Sequence, residues 1–215
     1  MEKAATSNYD KVLETWRQKF LAMDQNILIR RFCLEADENA LYITYFSRKI
    51  RIDRKNGHIS YVDFPGGMPG FNTSITIYNM FHYAVENPKA SGKLVAFREV
   101  KRVYPFEAAY RQTILKEMEN LFEGHTEEMR RGCERLQGRK MPQGDVGYIL
   151  PVFPFLEIAV LFWDGDEEFP AQANMLFDSN ITDFMHEENV VGVAADAVHY
   201  LGIASGMDPG EIYAG

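Results

Sequence analysis

Apolar side chains near the start of the chain recur at helical spacing: Tyr9, Leu13, Trp16 and Phe20 fall at i, i+4, i+7 and i+11, one stripe of an opening helix within residues 1–26. From Ile27 the period shortens to two. ILIRRFCLE, LYITYFS, KIRID and HISYV alternate and are rich in β-branched and aromatic residues, which predicts strands of an antiparallel meander. Asn56-Gly57, between Ile50/Ile52 and Ile59/Tyr61, marks the expected hairpin turn, because both central residues of a type I′ turn need positive φ.

The loop PGGMPG (65–70) interrupts this meander, and Asn72, Thr73 or Ser74 is placed to cap a helix carrying Ile75, Tyr78, Phe81 and Val85. Asn87-Pro88 ends it, and KLVAF (93–97) reads as a short strand. Pro105 suits the first turn of a helix with the stripe Phe106, Tyr110, Ile114, Met118 and Leu121, closed by Gly124. A more polar helix follows through Met129, Cys133 and Leu136, ended by Gly138. Strands over 148–152, 156–163 and 174–177 precede a last helix through Val190, Ala194, Ala197 and Leu201, and 205–215 reads as a frayed tail. The expected architecture is one α+β domain over 1–215, an antiparallel, meander-rich sheet with helices packed on one face and one end.

Composition narrows the class. With 46% hydrophobic and 13% aromatic residues in 215, global disorder is excluded, and two cysteines exclude a disulfide scaffold or a four-cysteine metal site within one chain. The charged amino terminus lacks the apolar core of a secretory signal, so the expected location is cytoplasmic. The most apolar stretch, 147–163, is interrupted by Pro151, Pro154 and Glu157 and reads as buried strands, not as a membrane span.

Charge is unevenly distributed. All 23 cationic side chains lie in the first 140 residues against 18 of the 31 carboxylates, leaving +5 there and −13 in the last 75 residues, −8 in total. Either the basic part neutralises the acidic part within the fold, or an acidic concavity remains for a cation or basic partner. The overall sign disfavours nucleic acid. Trp163-Asp164-Gly165-Asp166-Glu167-Glu168 crowds carboxylates into a turn. As hard oxygen ligands, Asp166, Glu167 and Glu168, joined by Asp178, suit Mg²⁺ or Ca²⁺, although the spacing is not that of an EF-hand and carboxylates in such a turn are usually just solvated.

Glu157 alternates within an apolar strand whose two faces both read as buried. Either it pairs with a cation such as Arg98 or has its pKa raised by desolvation, with Trp163 on the same face as a ligand contact, or, as is more common for such a residue, its end of the strand lies near solvent. PGGMPG before a helix reads as a connection or as an anion cradle built from backbone N–H groups. Histidines 58, 82, 125, 186 and 199 form no i, i+3 or i, i+4 pair, no GxSxG elbow occurs, and Cys33 reads as buried.

Phe97-Arg98-Glu99, Gly144-Asp145, the run from Trp163 to Pro170 and Asn174-Met175-Leu176-Phe177-Asp178 resemble a prokaryotic family catalogued as domain of unknown function 3786, over about Ile27 to Tyr200. The resemblance implies proteins of anaerobic bacteria and archaea, some with an added iron–sulfur domain and some associated with corrinoid-dependent one-carbon metabolism. It carries no catalytic residues. The expected function is an accessory module that binds a protein or a small cofactor. The alternative is a divalent-metal-dependent enzyme in which Arg98 holds a small anionic substrate. Oligomeric state is left open.

Overall fold

The computed structural model describes residues 8–63 and 67–210. It is an α+β fold with two antiparallel sheets where the sequence pattern suggested one. The expected start of the first helix before Asn8, Pro65 and Gly66 of the glycine-rich loop, and the end of the tail after Gly210 lie outside the described residues.

Helix α1 (Asn8–Leu21) packs through Phe20 onto the central helix α3 (Phe71–Tyr83). The first predicted strand is instead a helix, α2 (Gln25–Phe32). Asp24 caps it by accepting from the N–H groups of Asn26 and Ile27, Leu28 and Phe32 are its buried i, i+4 pair, and Cys33 ends it at φ 51°. Over eight residues alternation and helical spacing are hard to separate, and here the cap decides. Cys33 is consequently exposed.

Strands β1 (Glu35–Ala36), β2 (Ala40–Tyr45), β3 (Arg48–Asp53) and β4 (Ile59–Tyr61) form the first sheet in that order. The predicted register of β3 on β4 holds, with Ile50 opposite Tyr61 and Ile52 opposite Ile59. Its turn differs: Asp53 accepts from the N–H groups of Lys55 and Asn56, and of the Asn56-Gly57 pair only Gly57 has positive φ. The two-residue turn with both φ values positive is Phe46-Ser47, at 42° and 63°, joining β2 to β3. Phe46 is held in this uncommon conformation by burial, by its N–H donating to Val152 O at 3.0 Å, and by its ring stacking 5.5 Å from that of Tyr200.

Helix α3 is capped by Gly70 with no side-chain acceptor, not by Asn72, Thr73 or Ser74. Those hydroxyl and amide groups lie inside the helix and are used laterally. After β5 (Leu94–Ala96), the helix predicted from Pro105 is a composite of α4 (Glu107–Ala109), a π-helical stretch (Tyr110–Leu115) and α5 (Lys116–Phe122). Then come α6 (Thr126–Arg135), β6 (Arg139–Lys140), β7 (Val146–Phe153), β8 (Leu156–Trp163), β9 (Gln172–Asp178) and α7 (Glu187–Ser205). The second sheet has the order β5-β9-β8-β7-β6, and Pro151, which has no N–H to donate, sits at a register shift of β7.

One cluster of buried apolar side chains links both sheets and the helices. In the second sheet Tyr148, Leu150, Ile158, Val160, Phe162, Met175 and Phe177 fill the inner face. Helix α7 is the spine: 13 of its 19 residues are buried, and its small residues admit neighbours closely. Gly132 of α6 faces it so tightly that a Cβ would stand 2.1 Å from Ser205 Oγ and 3.0 Å from Leu201 O. No helix among the described residues is long and apolar enough to cross a membrane.

Candidate functional site

The residues singled out by sequence are dispersed. Glu157 is not enclosed between two buried faces. It lies on the more open face of β8, its side chain 45% exposed, and pairs with Arg139 Nη2 at 2.7 Å rather than with Arg98. Trp163 ends the same strand, 39% exposed, and Arg98 is exposed in a single 3₁₀ turn. Asp166 organises its own turn by accepting from the N–H groups of Glu168 and Phe169, both at 2.8 Å; these donors hold its carboxyl below the usual range. Glu167 and Glu168 are exposed beside it.

Asp178 does not join this run. The register places Gln172 beside Trp163 and Asp178 at the far end of β9, about 20 Å away at ~3.3 Å per residue. There it is 2% exposed and accepts from Ser91 N, Ser91 Oγ, Gly92 N and Asn180 N at 2.8–3.0 Å, a carboxylate that ties a turn together. Among the described residues no three His, Cys, Asp or Glu side chains are grouped to hold a metal ion.

A concavity lies elsewhere, between the end of the β2–β3 hairpin, the loop 67–70, α6 and α7. It is a cleft of about 590 Å³ lined by Phe46, Arg48, Tyr61, Arg135, His199 and Tyr200, with Gly67, Met68 and Gly70 on its loop side. The remainder of the PGGMPG loop thus forms a wall of the cleft and leads into the N-terminus of α3. Arg48 and Arg135 are exposed cations on the rim; Arg48 also lies over the Tyr61 ring, 5.2 Å from its centroid. Arg135 is positioned by donating from Nη1 to Ala204 O at 2.7 Å. Asp63 is the carboxylate on this wall, and burial pulls the pKa of His199 below its ordinary value.

Behind the cleft wall runs a chain of hydroxyls. Tyr61 and Tyr200 share a hydrogen bond of 2.8 Å between their OH groups, and Tyr200 OH lies 3.1 Å from Thr73 Oγ1. Thr73 donates to Asp196 Oδ2 at 3.2 Å, and Tyr45 donates to the same oxygen at 2.7 Å. Asp196 is 4% exposed; burial pushes its pKa up to about 6 against the lowering by hydrogen bonds from Asn72, Tyr45 and Thr73. Burial, followed by the charge of Asp196, raises the phenols of Tyr45 and Tyr200, so both remain neutral donors and acceptors. Gly192, one turn before Asp196, allows the polar side of α3 to approach: a Cβ there would meet Asn72 Oδ1 at 2.9 Å.

Sequence reasoning counted Asp196 only among the carboxylates of the acidic part. Its signal was available, since it is the lone Asp, Glu, Lys or Arg between positions 189 and 207 in an otherwise apolar helix. The four hydroxyl residues had no such signal, because their meeting depends on packing β2, β4, α3 and α7 together.

No curated protein and no solved structure matches the chain. The family described as Domain of unknown function (DUF3786) matches residues 24–200, from the cap of α2 to Tyr200 of the cleft, and the chain belongs to it.

Proposed function

We propose that the protein is a binding module for a small anion, held in the cleft between the β2–β3 hairpin, the loop 67–70 and the end of α7. The observation that carries this reading is the convergence of Arg48, Arg135 and His199 on a concavity of about 590 Å³, a size suited to a small ligand. Apolar surface from Met68 and Ile203 would bury the body of such a ligand while the guanidinium groups pair with its charge. Arg48 and Arg135 against Asp63 give the wall a cationic balance although the chain as a whole is acidic.

Thermal unfolding in the presence of phosphate, sulfate and small carboxylates tests this reading, since a ligand that binds only the folded state raises the midpoint as its concentration exceeds Kd. Sulfate and phosphate also stabilise folded proteins without a site, so the informative quantity is the difference between the wild type and the Arg48→Gln/Arg135→Gln double variant. A larger midpoint rise in the wild type is expected. Identical rises in the two proteins would remove the site.

A further inference from the structure

Resting on that reading of the cleft, we infer that it takes up an oxyanion together with one proton from solvent, the proton residing on Asp196 and Tyr61 presenting its hydroxyl hydrogen to the ligand.

Counting the hydrogens along the chain leads to this coupling. With Asp196 ionised, Tyr45 and Thr73 both donate to Oδ2. Thr73 has then spent its one hydrogen, so Tyr200 donates to Thr73, and Tyr61 in turn donates to Tyr200. Every hydroxyl points inward, and Tyr61 turns only lone pairs toward the cleft, an arrangement that repels an anion. One added proton on Asp196 reverses the order. The carboxyl donates to Thr73, Thr73 to Tyr200, Tyr200 to Tyr61, and Tyr61 is left with a hydrogen for the ligand. Both inter-hydroxyl contacts are compatible with either direction of donation.

The surroundings support uptake of the proton at Asp196 rather than elsewhere. The groups against it are Tyr45 from β2, Asn72 and Thr73 from α3, and Tyr200 from its own helix, with no cation acting on it among the described residues. Tyr61 from β4 reaches it through Tyr200, and Arg48 faces Tyr61. The proton balance is simple: ionised Asp196, the free oxyanion and one solvent proton become neutral Asp196 with the oxyanion bound, and no covalent bond is made or broken outside the relay.

The test is calorimetry of sulfate binding from pH 5 to pH 8, in buffers that differ in protonation heat. Sulfate does not itself titrate there, so proton uptake belongs to the protein. Affinity is expected to fall with rising pH, approaching tenfold per unit where one proton is fully coupled. His199 lines the same cleft, so His199→Gln is free to change the affinity itself, but the uptake of a proton on binding must persist in it. It must vanish in Asp196→Asn, whose amide keeps a hydrogen at all pH values, and in Tyr61→Phe, which leaves Asp196 in place and removes the outer hydroxyl. Two variants at opposite ends of the chain keep the test intact if one of them folds poorly. Sulfate binding without proton uptake, or uptake retained in Asp196→Asn, overturns the coupling and spares the cleft. Absence of sulfate binding at every pH overturns both.

Discussion

Between Asp164 and Glu168 four carboxylates occupy five positions of a turn open to water, and Asp166 is held below the ordinary range by backbone donors. Asp196 stands alone on an apolar helix, ringed by hydroxyls and an amide, with its pKa pushed up to about 6. In the crowded group the N–H dipoles of Glu168 and Phe169 favour the ionised form of Asp166. The isolated one is brought toward neutrality because removal from water outweighs its hydrogen bonds. Acidic density along the chain therefore says little about where a carboxylate changes protonation state; the low dielectric and the donors around it do.

The comparison can be strained most at Asp196 itself. With a folded pKa of about 6 against 3.8 in the unfolded chain, the protonated carboxyl favours the fold at low pH. Its contribution is complete below about pH 4 and is lost as pH rises through 6. Relative to Asp196→Asn, the wild type should lose roughly 2.5 kcal/mol of unfolding free energy between pH 4 and pH 7, read from urea melts at each pH. A flat difference between the two proteins would place Asp196 in water and end the contrast.

Asp178 is the intermediate case, buried yet fully supplied with backbone and hydroxyl donors. Asp178→Ala strands those donors and should cost about 2 kcal/mol in denaturant unfolding. Removing one donor from the buried site, by Tyr45→Phe, should cost about 1.5 kcal/mol and shift the acid end of the wild-type profile upward, because Asp196 loses a hydrogen bond that favours its ionised form. A downward shift would mean that Tyr45 does not donate to the carboxylate. The smallest effects belong to the exposed turn. Glu167→Gln and Glu168→Gln should leave the melting midpoint unchanged, as should Mg²⁺ or Ca²⁺ added to the wild type. A midpoint raised by either ion would show that these side chains gather a cation after all.

Much of the secondary structure was legible along the chain because long periodic segments and glycine or proline boundaries are local signals. The stripe Tyr9–Phe20, the alternation of β2 and β3, and the apolar run of α7 each follow from the spacing of side chains that must leave water. Where the local signals were short they competed. ILIRRFCLE became α2 because Asp24 supplies a cap, and the type I′-like turn fell at Phe46-Ser47, whose positive φ values are sustained by the contact of Phe46 with β7 and Tyr200.

By itself the chain determined the α+β class, the order of nearly all elements and the segregation of charge. Tertiary structure alone decided that Glu157 reaches Arg139, that β9 carries Asp178 away from the acidic turn, and that Tyr45, Tyr61, Thr73 and Tyr200 connect a basic cleft to Asp196. Those contacts join residues up to 151 positions apart. Pattern along a chain records which side chains seek burial, whereas a proton's affinity for a carboxylate depends on what distant segments place against it and on how much water they exclude.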